Sequence, residues 1–442
     1  MQIRKPDKRR KKMAFYGKGD SSWFTHDRFG MFIHWGLYSM PARHEWIRNY
    51  EQISNEDYQK YFDQFDPDLF DAREWAAAAK NAGMKYVVFT TKHHEGFCMF
   101  DSQYTDYKST NTKCGRDLLR EVVDAFRAEG LKIGLYHSLI DWHHPDFLID
   151  SIHPLRNHPD REALNQGRDM SRYRTYLHNQ TREILTNYGD IDIIWFDFSY
   201  PKAEYNPKGH DEWGSEELVK MIRSIRPSIL INNRLDLPGS GDITTPEQNT
   251  PEEPVKDENG NPVVWEGCQT FSGSWGYHRD ELTWKSEKQC IDMLINHVAR
   301  NGNLLMNVGP TSRGYLDHRA MERLQGFARW MKYCSRSIYG CGMAPEEFPE
   351  PRDSRYTYNP ETRSLYLHLM NWPFKYINAK NLAGKVAYAQ FLHDGSEVMI
   401  RENDPNAPHT HMSVSAPVGG ISLMLPVVKP EITVPVIEII LK

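Results

Sequence analysis

The chain of 442 residues has six cysteines (Cys98, Cys114, Cys268, Cys290, Cys334 and Cys341) but no CxxC pair. Scattered cysteines give neither a disulfide framework nor a thiolate metal site. Cys98 and Cys290 sit among apolar neighbours, as small core residues do. No run of about 18 apolar residues occurs, so no helix of the usual membrane-spanning length is expected. Positive charge is not in excess: 54 Lys and Arg stand against 59 Asp and Glu, a net charge of −5. That balance argues against a general nucleic-acid binder, which needs a basic field to neutralise phosphates. No GxGxxG follows the first predicted strand, which removes the simplest dinucleotide site. No HExxH or HxH occurs before the C-terminal part, so we expect no metal and no cofactor. The one HxH, His409-Thr-His411, lies in a polar stretch that reads as a solvated turn.

Aromatic residues, by contrast, are plentiful. The 12 Trp and 23 Tyr often stand next to His, Asp or Gly rather than inside apolar runs. Such rings can stack on the flat apolar faces of sugars, although an aromatic-rich core has the same composition. The opening MQIRKPDKRRKKM carries seven basic residues and one acid. No apolar h-region follows it, so residues 1–20 read as a disordered basic tail and the protein as cytoplasmic. A start at Met13 would remove that tail.

Strand and helix patterns alternate along the next 320 or so residues. RFGMFIHWG (28–36), YVVFTTKHH (86–94), LKIGLYHS (131–138), DIDIIWFDF (190–198), SILINNR (228–234), DITTPE (242–247), VVWEGCQTF (263–271) and NLLMNVGP (303–310) read as strands. Between them lie helical patterns such as DAREWAAAAKNAG, with Asp71 and Glu74 spaced as a capping box and Gly83 as terminator. Near-continuous apolar strands alternating with helices argue for a parallel sheet covered by helices. Eight of them argue for a (β/α)8-like barrel over residues 21–343, with a doubly wound open sheet as the alternative. After residue 344 the pattern becomes short strands and turns, expected to form a small C-terminal antiparallel β-sandwich over 344–442.

Polar groups collect where these strands end, which is where a parallel barrel keeps its active site. His34, His93, His94, Glu95, His137, Asp197, Arg234 and Glu247 all sit there. Side chains alternate along a strand, so Ile193, Trp195 and Asp197 should face one way and Ile194, Phe196 and Phe198 the other. Adjacent His93 and His94 should splay apart for the same reason. Two carboxylates suit glycoside hydrolysis, one as nucleophile or water guide and one as proton donor. Asp197 and Glu247 are the best pair. Neutral imidazoles suit sugar hydroxyls because they both donate and accept.

RFGMFIHWGLYSMPARHEW, YVVFTTKHHEGF, GLYHSLIDWHHP, IIWFDF, DITTPE, WEGCQTFSGSWGY and GNLLMNVGP, in this order over residues 22–335, resemble the α-L-fucosidases of glycoside hydrolase family 29. The resemblance implies a (β/α)-barrel with a C-terminal β-sandwich, no metal, and a retaining double displacement on a fucosylated oligosaccharide or glycoconjugate. It implies Asp197 as nucleophile and Glu247 as general acid/base, with Glu266 as fallback and Glu252 and Glu253 behind it. Arg234 would help keep Asp197 charged. His34, Glu45, Trp46, His93 and His94 match positions that hold the fucose hydroxyls. Trp195 matches a stacking position, and Phe32 and Trp275 match a wall for the 6-deoxy methyl group. Where many members have Tyr-Tyr-Ser, this chain has Tyr136-His137-Ser138, so His137 is expected to take over a bond to the nucleophile. A related retaining glycosidase acting on α-L-galactosides and a non-catalytic fucose binder stay open as alternatives, and oligomeric state is not legible.

Overall fold

The computed structural model describes residues 16–402 and 416–442. The basic stretch before residue 16 and the His409-Thr-His411 pair lie outside the described residues. Residues 18–20 are held against the chain rather than free. Gly19 N donates to Asp242 Oδ1 (3.0 Å), and Asp20 N to Ser228 O (2.9 Å).

Seven parallel strands organise the larger part: β1 (Phe29–Ile33), β2 (Tyr86–Lys92), β3 (Lys132–Ser138), β4 (Ile193–Asp197), β5 (Leu230–Ile231), β6 (Glu266–Thr270) and β7 (Asn303–Val308). They form one curled sheet in the order β5-β4-β3-β2-β1-β7-β6. The DITTPE stretch was expected as an eighth strand, but it makes only single parallel bridges. Asn232 pairs with Ile243, Thr244 with Trp265 and Glu247 with Cys268, so the stretch runs between the β5 and β6 edges. Pro246 has no N–H to donate, which works against a continuous ladder there.

Every helical pattern in the sequence is a helix in the structure. Asn55–Gln64, Ala72–Asn81, Leu118–Ala128, Met170–Asn187, Ser215–Ile225, Glu287–Val298 and His318–Cys334 are the longest among the described residues. Asp71 caps its helix by accepting from Arg73 N, without the reciprocal bond from Glu74. Ser286 and Gln289 do form a reciprocal box. Gly83 (φ 87°) and Gly130 (φ 78°) follow their helices in the left-handed region, which costs glycine nothing.

Strand alternation divides the core in two. Met31, Ile33, Val87, Phe89, Leu135, Ile194 and Phe196 face the helices. Phe32, Val88, Tyr136, Ile193, Trp195, Leu230, Cys268 and Leu305 pack together inside the curl. Burying both faces favours the near-continuous apolar strands seen in the sequence.

Two antiparallel sheets follow. One has the order β12-β15-β10-β9-β8, built from Gly342–Met343 (β8), Ser354–Asn359 (β9), Ser364–Leu369 (β10), Val386–Phe391 (β12) and Val436–Leu441 (β15). The other is β11-β14-β13, from Tyr376–Ala379, Ile421–Met424 and Ile400–Glu402. Leu365, Ile437, Ile377 and Leu423 join both sheets in one core.

Candidate active site

The carboxyl ends of the parallel strands surround a cavity. Phe32, His34, Glu45, Trp46, His93, His94, Trp195, Asp197, Glu247 and Trp275 line it, all of them expected there from the sequence. Register explains much of this convergence. Tyr136 pairs with Trp195 and Ser138 with Asp197 across β3 and β4, so the Tyr136 and Trp195 rings stack 5.7 Å apart. Phe32 lies 5.4 Å from Trp195 and 5.9 Å from Trp275, centroid to centroid, which gives the cavity an aromatic floor and wall.

Arg234 reaches the two carboxylates from the side. Its Nη1 donates to Asp197 Oδ1 and its Nη2 to Glu247 Oε2, each at 3.0 Å. Its guanidinium also lies 5.0 Å from the Trp195 ring centroid. Tyr136 Oη donates to Asp197 Oδ2 (3.0 Å). The environments of the two carboxylates differ: the Asp197 side chain is 15% exposed and that of Glu247 42%. Burial pushes the Asp197 carboxyl up to about 6, against the pull of Arg234 and with a push from the Glu247 charge. Arg234 does favour the charged form, as expected, but desolvation outweighs the cation.

The imidazoles are neutral, since burial holds His34 and His94 down to about 3 and His93 well below its usual value. Their tautomers follow from their partners. Asn307 Nδ2 donates to Trp275 O (2.7 Å), so Asn307 Oδ1 accepts from His34 Nδ1 (2.7 Å). Ser138 Oγ donates to Ile140 O (2.8 Å), so it accepts from His94 Nδ1 (2.7 Å). Both Nε2 atoms are left as acceptors, and that of His94 stands 3.8 Å from Asp197 Oδ2. Glu45 Oε2 is engaged by the N–H groups of Trp275 (3.1 Å) and Gly276 (2.9 Å), while its buried Oε1 makes no hydrogen bond. His93 Nδ1 is likewise buried and unpartnered. Buried polar atoms seldom stay unpaired without a ligand or water to meet them.

Two expected residues are elsewhere. His137 follows Tyr136 on β3 and faces the helices, where its Nδ1 meets Thr91 Oγ1 at 2.9 Å. Tyr136, not His137, bonds the Asp197 carboxylate, because neighbours on a strand face opposite sides. Glu266 is buried away from the cavity, bonded to Tyr86 Oη at 2.5 Å, and its carboxyl is pushed up to about 7 by burial. It does not line the cavity. Glu252 and Glu253 are exposed and do not line the cavity. Adjacent His93 and His94 do not splay apart, because β2 ends at Lys92. Both rings enter the cavity, with centroids 4.1 Å apart. Phe198 also lines it: β4 ends at Asp197, and Phe198 with φ 77° leaves the alternation. Tyr136, Phe198 and Cys268 are the lining residues that sequence reasoning missed. The pairing of Tyr136 with Trp195 was the available signal for the first, and a local turn hid the second.

A family model described as alpha-L-fucosidase matches residues 11–335. The chain belongs to the α-L-fucosidase family. The alpha-L-fucosidase of Dictyostelium discoideum is 29% identical over 360 residues, which cover 72% of this chain and 71% of that one. Human plasma alpha-L-fucosidase is 29% identical, covering 80% of this chain and 76% of its own. Among solved structures, alpha-L-fucosidase isoenzyme 1 from Paenibacillus thiaminolyticus is 44% identical with a TM-score of 0.88, covering 96% of this chain and 98% of its own. A Bacteroides thetaiotaomicron GH29 alpha-L-fucosidase, described as a trapped covalent intermediate with 2-fluoro-fucosyl fluoride in a Glu-to-Gln mutant, is 27% identical with a TM-score of 0.80, covering 97% of this chain and 99% of its own. Membership of this family makes the chain a fucose-releasing glycoside hydrolase.

Proposed function

We propose that this fucosidase is exo-acting and retaining, with Asp197 as nucleophile and Glu247 as general acid/base. The observation that carries the reading is the single Arg234 guanidinium bonded to both carboxylates at the mouth of an aromatic cavity. A terminal fucose would lie over Trp195. Its methyl group would meet Phe32 and Trp275, and its hydroxyls would meet His34 Nε2, His94 Nε2, His93 Nδ1 and Glu45 Oε1. An apolar wall favours methyl over hydroxymethyl by ~1 to 3 kcal/mol, which supports a fucoside over an α-L-galactoside.

In the first step Asp197 attacks the anomeric carbon while Glu247 protonates the departing oxygen. In the second Glu247 takes a proton from water, which displaces Asp197. Arg234 and Tyr136 hold Asp197 in place and favour its ionised form, so it is the group suited to attack. Glu247, nearer to solvent, can exchange protons with the leaving group and with water. The covalent intermediate named for the Bacteroides relative supports the double displacement. The bridges through residues 243–247 support a closed (β/α)8-like barrel, with the Glu247 segment in the eighth strand position. A pure binding protein would not need two carboxylates held on one cation.

The test is hydrolysis of an aryl α-L-fucoside followed by NMR. The first-formed sugar is expected to be the α anomer. The β anomer would rule out double displacement, and saturable binding with no release would leave only a binder.

A further inference from the structure

Tyr50 ends the short helix Ile47–Tyr50, and the residue is 60% exposed. One exposed aromatic ring needs no explanation by itself. Two features set this one apart. First, it continues the cavity wall. Its ring centroid lies 6.2 Å from that of Trp46, with the planes 33° apart, and 5.2 Å from that of His44. Trp46 in turn packs on His94 (5.2 Å) and on Phe198 (5.1 Å), the residue after Asp197. The aromatic surface therefore runs from beside the nucleophile out to solvent.

Second, the ring stands on a pinned backbone. Arg156 Nη1 donates to Asn49 O (3.0 Å), and Asn157 Nδ2 to Gln52 Oε1 (3.1 Å). Asn49 Nδ2 donates to Ile152 O, and Arg43 grips Glu51 through two bonds of 2.8 Å. A rigid exposed ring loses little entropy when a ligand covers it.

We propose that Tyr50 and the Trp46 edge form the subsite for the sugar to which the fucose is attached. That leaving group would be a pyranose lying with its apolar C–H face on the Tyr50 ring. This inference rests on the fucosidase reading of the cavity. It assigns the substrate class as a fucosylated glycan whose second residue is a ring sugar, rather than a fucoside of a small or acyclic alcohol. Tyr50 touches neither the anomeric centre nor either carboxylate, so its contribution goes into selecting the leaving group.

The test compares the wild type, Tyr50→Ala and Tyr50→Phe on α-L-fucosyl fluoride, which has no leaving ring, and on a fucosyl disaccharide. The kcat/KM for the disaccharide divided by that for the fluoride is expected to fall about tenfold in Tyr50→Ala, the scale of one lost stacking contact. Tyr50→Phe should keep the wild-type quotient. An unchanged quotient in Tyr50→Ala overturns the subsite, including the case where both rates fall together because the wall has moved. Turnover of the fluoride by the wild type supports the fucosidase reading whatever Tyr50 does. Failure on both substrates would sink the two together.

Discussion

Asp197 and Glu247 are bonded to the two terminal nitrogens of one guanidinium, that of Arg234, at 3.0 Å each. The bridge joins the end of β4 to the residue 247 segment, which lie far apart in sequence. It also ties the charge state of Asp197 to the Glu247 charge, and the kinetic expectations below follow from that link.

The two carboxylates should separate by leaving group. Asp197→Asn is expected to lose about 10⁴-fold or more in kcat on every fucoside, as removal of a nucleophile does. Glu247→Ala should lose about 10² to 10⁴-fold on disaccharides but much less on nitrophenyl fucoside, whose leaving group needs no proton. Added azide should restore Glu247→Ala and yield the retained α-L-fucosyl azide. Rates for both variants across a leaving-group series check this. An Asp197→Asn variant near wild-type rates would end the assignment.

The acid limb of kcat/KM is expected near pH 6, where Asp197 loses its proton and becomes a nucleophile. The Glu247 charge raises the Asp197 carboxyl, so Glu247→Gln should move that limb to lower pH on nitrophenyl fucoside. Stability carries the opposite sign. A carboxyl raised in the folded state contributes stability below its unfolded pKa of about 4 and loses it as pH rises through about 6. Asp197→Asn should therefore gain thermal stability relative to wild type between pH 4 and 7, as read by melting at each pH.

Tyr136 and His137 should behave differently despite being neighbours. Tyr136→Phe removes a bond to Asp197 that favours its ionised form. It should lower kcat by about tenfold and move the acid limb upward. His137→Phe should leave kcat and the limb where they are, because the ring packs toward Phe100 and the helices (6.3 Å). The reverse pattern in the pH–rate profiles would mean that His137 serves the nucleophile.

Lys92 is fully buried and pairs with Asp141 Oδ2 at 3.3 Å, while Asp141 Oδ1 accepts from His143 N (3.0 Å) and His144 N (2.9 Å). The pair links the base of the His93-His94 turn to the loop after β3. Lys92→Met leaves a buried carboxylate unpaired and should cost about 3 to 5 kcal/mol in urea unfolding. Its KM for fucosides should rise as well, because the two histidines lose their anchor. Unchanged unfolding would show that the pair is not a support.

Periodicity alone located seven parallel strands and the long helices, because burial on both faces leaves a distinctive apolar run and caps leave Asp, Ser and Gly at helix ends. The same alternation placed Ile193, Trp195 and Asp197 on one face, and that expectation held up to the strand's last residue. It failed one step beyond, at Phe198, and it failed for His93 and His94, since period-2 rules stop where a strand stops. The resemblance to the fucosidases pointed to most of the cavity lining, but it suggested His137 for a bond that Tyr136 makes and kept Glu266 as an acid that burial shuts away.

The chain's own residue pattern thus settled the strand–helix order, the side of the sheet where chemistry collects, and most of the groups that gather there. Only three-dimensional packing decided that one arginine serves both carboxylates, that burial rather than the cation dominates Asp197, and which nitrogen of each imidazole is left without a protein partner. The physical reason is that desolvation, tautomer choice and shared hydrogen bonds depend on neighbours brought from distant parts of the chain, and no local pattern encodes them.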